Sequence, residues 1–210
     1  VPALFALAGA IGLMVFLRDT PRSVGLPELE GTHTKVENNT NSAEYKAFLK
    51  EKVFRNPLIW ILAFANFFVY VVRFAVLDWG PKFLQEARGL EPADAGWIIA
   101  VSEIMGIVGM LVAGWATDRF FKGKAHRTCV FCMLGAAAFM GIFYFLPGTS
   151  PVVMLAGVLG MVGFFIYGPQ ALIGIAAANQ ATKSAAATAN GVTGIFGYLS
   201  TFVSGLGIGR

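Results

Sequence analysis

Charge is scarce in this chain. Of its 210 residues only 13% are charged, whereas 56% are hydrophobic. A soluble domain usually carries about 25% charged residues, so this chain lacks the polar surface to cover a core in water. Its mean hydropathy of +0.66 points to lipid as the solvent. Histidine and cysteine are also scarce, at two residues each. The spacing of Cys129 and Cys132 is C-x-x-C, but no second cysteine pair or histidine cluster completes a metal site, and small apolar packing is the expected role. His126 alone does not change this, and His33 is read as solvated. No P-loop is present, so this segment supplies no ATP motor. No Ser/His/Asp or metallohydrolase signature appears either, and no cofactor is expected.

The formal net charge of +4 invites a nucleic-acid reading. The distribution argues against it, because most Lys and Arg residues lie in two segments between long apolar runs. Both ends read as cut: the chain is apolar from Val1 onward, and Arg210 directly follows an apolar run.

A spanning helix needs roughly 20 mostly apolar residues. Six segments qualify: about 2–17, 58–77, 95–116, 128–146, 151–178 and 186–209. Buried helices of a soluble protein would need a polar face that these do not offer. The expected class is therefore all-α and transmembrane. Segment 18–57 holds seven of the sixteen Lys and Arg residues, and 117–127 holds Arg119, Lys122, Lys124 and Arg127. Lys183 lies in the connection near 179–185. Segment 79–94 has only Lys82 and Arg88, and 147–150 has none. The positive-inside rule puts 18–57, 117–127 and 179–185 in the cytoplasm. The long 18–57 loop is polar around Asn38-Asn39-Thr40-Asn41-Ser42 and reads as a linker; its Asn38–Thr40 sequon would be inert there. Its end, about Ala43 to Phe54, is expected to form an amphipathic surface helix.

A helix, a long cytoplasmic linker and a new helical series suit a two-half transporter. Residues 1–17 would be the last helix of the first half, 18–57 the central loop, and 58–210 a second half lacking its final helix. Glycines recur at packing intervals: Gly106 and Gly109; Gly157, Gly160 and Gly163; Gly191, Gly194 and Gly197. Tyr167-Gly168-Pro169-Gln170 is expected to break the fifth helix in mid-membrane.

Arg73, Asp78 and Glu103 are ionisable residues within the apolar runs, where a charge normally faces a cavity or a partner. Arg73 lies four residues before the expected helix end, roughly 6 Å from the outer boundary. Two readings follow: snorkelling to the interface, or a phosphate clamp with Tyr70 at i−3 on the same face. Glu103 is either a static partner of Arg73 or a group that releases Arg73 when an anion binds. Asp78-Trp79-Gly80-Pro81 reads as capping and anchoring at the outer helix end.

Gly114-Trp115-Ala116-Thr117-Asp118-Arg119, followed by Lys122-Gly123-Lys124 and Arg127, resembles the G-x-x-x-D-R-x-x-R/K signature of the major facilitator superfamily. An Asp and several cations there can pair across helix ends and hold one conformational state. More specific is the resemblance of Tyr70-Val71-Val72-Arg73-Phe74 and Leu77-Asp78-Trp79-Gly80-Pro81 to the seventh helix of the organophosphate:phosphate antiporters. Arg18 to Pro27, Phe164 to Gly174, and Gly191 to Leu199 are similar to that family too, in the expected order along nearly the whole chain.

The resemblance implies a major facilitator fold in a bacterial inner membrane. It implies exchange of a phosphorylated small molecule for inorganic phosphate; separately, a monomer is expected, and the charge distribution leaves no nucleic-acid partner. Arg73 then matches the phosphate-binding arginine of helix seven, and Tyr70 a tyrosine beside it. Glu103 matches a helix-eight glutamate, and Tyr167 and Tyr198 match pocket tyrosines of helices ten and eleven. The family's second arginine and its histidine belong to the half absent here. Gln170 and Ala176-Ala177-Ala178 lean towards the hexose-phosphate branch, although no charged pair lies between Ala185 and Gly209. A hexose-phosphate sensor and a different solute/proton carrier, with Glu103 as its proton site, are the alternatives.

Overall fold

The computed structural model describes residues 2–17, Gly25 and 43–208. The Arg18–Pro27 motif other than Gly25, His33 and the asparagine-rich centre of the linker with its sequon lie outside the described residues. The chain divides into two units, residues 1–42 and 43–210. In the first, α1 spans Pro2–Phe16. Its 15 residues extend about 22 Å, short of the roughly 30 Å hydrocarbon thickness.

The second unit is a helical bundle. Helix α2, Ala43–Leu49, continues into a π-helical turn, Lys50–Phe54. This is the expected amphipathic segment: Lys46, Lys50, Glu51 and Lys52 are exposed, while Val53 is buried with Ile59, Ala177, Ala181 and Ala189. Helix α3, Pro57–Phe74, starts where Pro57 fits the first helical position and the Asn56 side chain accepts a 3.0 Å hydrogen bond from the Leu58 N–H. It does not end near residue 77. A π-helical turn, Ala75–Trp79, carries it into α4, Gly80–Arg88. The reason is local: Pro81 sits in the first turn of α4, where its missing N–H costs nothing. Asp78-Trp79 is therefore mid-helix, and no side-chain cap bond forms there. The true stop is Gly89, at φ +65°, with its N–H donating to Gln85 and that of Leu90 to Leu84.

Helix α5 spans Pro92–Arg119, α6 Ala125–Phe145, α7 Val152–Ala181 and α8 Ala186–Ile208. All six apolar segments thus fall on helices. Among the described residues, four helices are long and apolar enough to cross a membrane: 57–88, α5, α6 and α7. Helix α7 is the centre. Half of its spanning window is buried, against 22% for 57–88 and α6. It packs on α5, α6, α3 and α8, and α3 packs in turn on α8.

The α5–α7 contact depends on glycine. A methyl on Gly163 would overlap the Ser102 backbone carbonyl, and one on Gly109 would overlap that of Phe164. Close approach lets the buried Ser102 hydroxyl donate to the Leu159 carbonyl at 3.0 Å. The packing expectation does not hold for every glycine: a methyl on Gly157, Gly191 or Gly194 would meet nothing within 4 Å. Helix α7 also runs unbroken through Pro169, contrary to the expected break. Gly168 and Pro169 are both buried, with Gly168 against Ala113, so neighbouring helices hold the segment helical despite the lost donor.

Two side chains tie helix ends together. Arg88 donates from Nη1 to the Leu146 and Pro147 carbonyls, both at 2.7 Å, and from Nη2 to Phe143 at 3.1 Å. It thereby satisfies the orphan carbonyls at the end of α6. At the opposite end of α6, the Thr117 hydroxyl lies 2.7 Å from that of Thr128 and donates to the Ala113 carbonyl at 2.7 Å, all buried.

Candidate substrate site

Residues from α3, α5, α7 and α8 converge on Arg73. Mid-way along a continuous helix, with about 22 Å of chain still to follow at 1.5 Å per residue, Arg73 is not at a helix end. It turns to partners instead of snorkelling. Its Nη2 donates to the Tyr167 hydroxyl of α7 at 3.2 Å. The guanidinium carbon lies 4.7 Å from the Tyr167 ring centre and 5.9 Å from that of Tyr70. Both rings offer a negative π face to the cation, which desolvation strengthens.

Glu103 of α5 does not pair directly with Arg73. The Tyr167 hydroxyl stands between them, accepting from Arg73 and donating to Glu103 Oε2 in a short contact. The chain Arg73–Tyr167–Glu103 places a phenol between cation and carboxylate, so the charges balance without full sequestration of the guanidinium. Arg73 Nε is buried and has no hydrogen-bond partner.

On the other side of Arg73, Gln170 Nε2 donates to the Tyr70 hydroxyl at 3.3 Å. Gln170 Oε1 is buried and unpartnered. Tyr70 also contacts Tyr198 of α8 edge to face, with centroids 6.2 Å apart. Tyr198 itself is 68% exposed, so it borders the cluster without being enclosed by it. Below Tyr70, the buried Asn66 donates to the Thr193 carbonyl at 2.9 Å and holds α3 against α8. A methyl on Gly197 would fall 3.0 Å from Asn66 Nδ2 and 3.3 Å from the Tyr70 ring, so this glycine seats Tyr70.

The five expected site residues, Arg73, Tyr70, Glu103, Tyr167 and Tyr198, thus lie in one linked cluster. Sequence reasoning missed the bridging position of Tyr167 and the bond from Gln170 to Tyr70. The signal was available: Gln170 lies three residues after Tyr167, so both face the same side of α7.

The loop signature is arranged differently from expectation. Gly114, Asp118 and Arg119 are on α5, and Lys122 is in the turn after it, at φ +53°. Asp118, Arg119 and Lys122 are exposed. Among the described residues Asp118 makes no ion pair, and the end of α5 is fastened by Thr117–Thr128 instead. Cys132 is buried beside Gly168, and both cysteines are free thiols.

The Major Facilitator Superfamily model matches residues 1–205. Over 203 residues the chain is 38% identical to a glycerol-3-phosphate transporter of Bacillus subtilis, covering 94% of this chain and 46% of that protein. It is 36% identical to the membrane sensor protein UhpC of Escherichia coli, covering 95% and 46%. To the hexose-6-phosphate:phosphate antiporter of Escherichia coli it is 32% identical, covering 94% and 43%. The chain spans about half the length of the curated relatives it matches. The family match and the four helices of membrane-spanning length among the described residues make it a multi-pass membrane protein. A family match over nearly all of the sequence, on a bundle of membrane-length helices closed around an intramembrane arginine, carries the conclusion that the chain belongs to the major facilitator superfamily.

Proposed function

We propose that this chain carries half of an alternating-access exchanger that moves a phosphorylated small molecule against inorganic phosphate. The observation that carries the reading is Arg73: a half-buried guanidinium, flanked by Tyr70 and Tyr167, with Nε unpartnered. A tetrahedral dianion suits that arrangement. Arginine presents several donors in a rigid planar fork, and a phosphoryl group supplies oxygens to match. Tyr70 and Tyr167 add phenols at the rim of the fork, and Tyr198 borders it. Glu103, reached through Tyr167, offsets the cation when no anion is bound and lets it go when one arrives. An anion that binds more tightly in one conformation than the other shifts their balance, and this couples binding to reorientation.

In this reading 1–17 is the last helix of a first half, 18–57 a cytoplasmic linker, and 58–210 the larger part of the second half. The chain's match to about half of each relative supports that layout, as does the long polar stretch before α3. Gly114, Asp118, Arg119 and Lys122 act at the cytoplasmic face, where they set the energy of one conformation.

The test uses the full-length protein in proteoliposomes loaded with radiolabelled inorganic phosphate. Glucose-6-phosphate, glycerol-3-phosphate or glucose is then supplied outside. Label exit triggered by an organophosphate and not by glucose supports exchange and names the substrate branch. Tight organophosphate binding without exit favours a sensor, a reading supported by the 36% identity to a membrane sensor protein. Uptake that follows a pH gradient without phosphate assigns Glu103 to proton coupling and overturns the proposal.

A further inference from the structure

We infer that the apolar groove among α5, α6 and α7 is a binding site for one acyl chain of an anionic phospholipid, whose headgroup sits on the α5–α6 turn. The groove is lined by Val112, Trp115, Phe120, Phe131, Phe164 and Phe165, among others. Its volume of about 320 Å³ falls at the small end of the range for ligand pockets, roughly 300–1,000 Å³. Trp115 and Phe120 meet edge to face at 5.3 Å, and Phe131 meets Phe165 at 6.4 Å. Trp115, Phe120 and Phe131 remain 60–65% exposed. On membrane-length helices open rings simply face lipid, so it is the groove between these rings, not their exposure, that marks a place for one chain.

What selects an anionic occupant is the charge at one end of the groove. Phe120, Phe121 and Thr128 line it, and their chain neighbours are Arg119, Lys122 and Arg127. With Lys124 these make four cations, all exposed. Asp118 is the one acidic residue in this stretch. Among the described residues none of the four cations is in an ion pair. Lys122 and Gly123, at φ +53° and +76°, turn the chain between α5 and α6, and the four cations fall within the nine residues 119–127 around that turn. An apolar slot whose end residues are followed or preceded in the chain by unpaired cations complements a lipid with a negative headgroup. It does not complement a zwitterionic one, whose own cation would be repelled. Clusters of four or more Lys or Arg beside a cytoplasmic helix end recognise anionic headgroups by this physics. The groove is lined by none of Arg73, Tyr70, Tyr167 or Glu103, so the site is separate from the substrate cluster and stands independently of the exchange reading.

The experiment uses the full-length protein with Trp115 as its sole tryptophan, in vesicles of unlabelled phosphatidylcholine. Brominated phosphatidylglycerol or brominated phosphatidylcholine is added at equal mole fraction, and quenching of Trp115 fluorescence is followed. The expected result is half-maximal quenching at roughly tenfold lower mole fraction for the anionic lipid. In the double variant Lys124→Gln, Arg127→Gln that preference should shrink to about twofold or less, while quenching by brominated phosphatidylcholine stays unchanged and reports an intact groove. Equal quenching by the two lipids overturns the proposal. So does Trp115 that neither lipid quenches, which would mean that a second copy of the protein covers the groove. A preference that survives in the double variant overturns the assignment of the headgroup to this turn.

Discussion

Replacing Tyr167 by Phe removes one oxygen and leaves the ring, so it isolates the bridge between Arg73 and Glu103. Two hydrogen bonds disappear, one from the guanidinium and one to the carboxylate. Hydrogen bonds to charged groups contribute about 1.5–3 kcal/mol each. Part is recovered, because the cation keeps the π face of the ring 4.7 Å away and can close on Glu103 directly. That closure is the functional damage. An incoming phosphoryl group must then displace a carboxylate from the guanidinium instead of entering beside a phenol. The net effect should be about 1.5–3 kcal/mol, or roughly ten- to hundredfold in kcat/KM, carried mostly by a higher KM. Initial rates of phosphate exit from loaded proteoliposomes, taken over a range of external organophosphate, separate the two parameters. A KM and maximal rate both within twofold of the parent would refute the reasoning. A lower rate at unchanged KM would place Tyr167 in reorientation instead of binding.

Glu103→Gln leaves an acceptor for the Tyr167 hydroxyl but removes the charge that offsets Arg73. Organophosphate should then bind more tightly and exchange more slowly, both by several-fold; exchange assays and direct binding on the same preparation check this. Gly163→Ala should lower thermal stability by about 1–3 kcal/mol through overpacking on Ser102, whereas Gly157→Ala, which meets nothing, should stay within about 0.5 kcal/mol. Melting of the purified pair in detergent compares them. Arg88→Ala strips three carbonyl contacts from the end of α6 and should cost about 1.5–3 kcal/mol in the same melting assay, with exchange per folded molecule little changed.

Helices were legible wherever the solvent alone decides. A long apolar run has few options in lipid other than a helix, and all six runs are helical. Their ends were less legible. The sequence Asp78-Trp79-Gly80-Pro81 looks like punctuation, yet proline is welcome in a first helical turn, and a π-helical turn joins α3 to α4 without a stop. Pro169 misled for a related reason. In water it would break the helix, but it is buried next to Gly168, which packs against Ala113 and Cys132, and the backbone there has no better conformation available. Glycine spacing marked the α5–α7 contact but could not tell Gly163, which meets Ser102, from Gly157, which meets nothing. That difference lies in the partner helix.

The site was legible in its membership and not in its wiring. An arginine and a glutamate in apolar runs demand partners, and that physical demand singled out Arg73 and Glu103. Their connection through the Tyr167 hydroxyl depends on how α3, α5 and α7 pack, which no one-helix pattern encodes. The same holds for Arg88, which reads as an outer-loop charge and turns out to close the end of α6.

The central claim is that Arg73 binds the phosphoryl group through its fork of donors and not merely through its charge. The most direct measurement is phosphate exchange by Arg73→Lys in loaded proteoliposomes, with surface expression and melting temperature matched to the parent. Lysine keeps the positive charge and loses the planar fork. The account predicts that exchange falls at least tenfold and that organophosphate binding weakens with it. Exchange within twofold of the parent would contradict it, and would move the phosphate site away from Arg73.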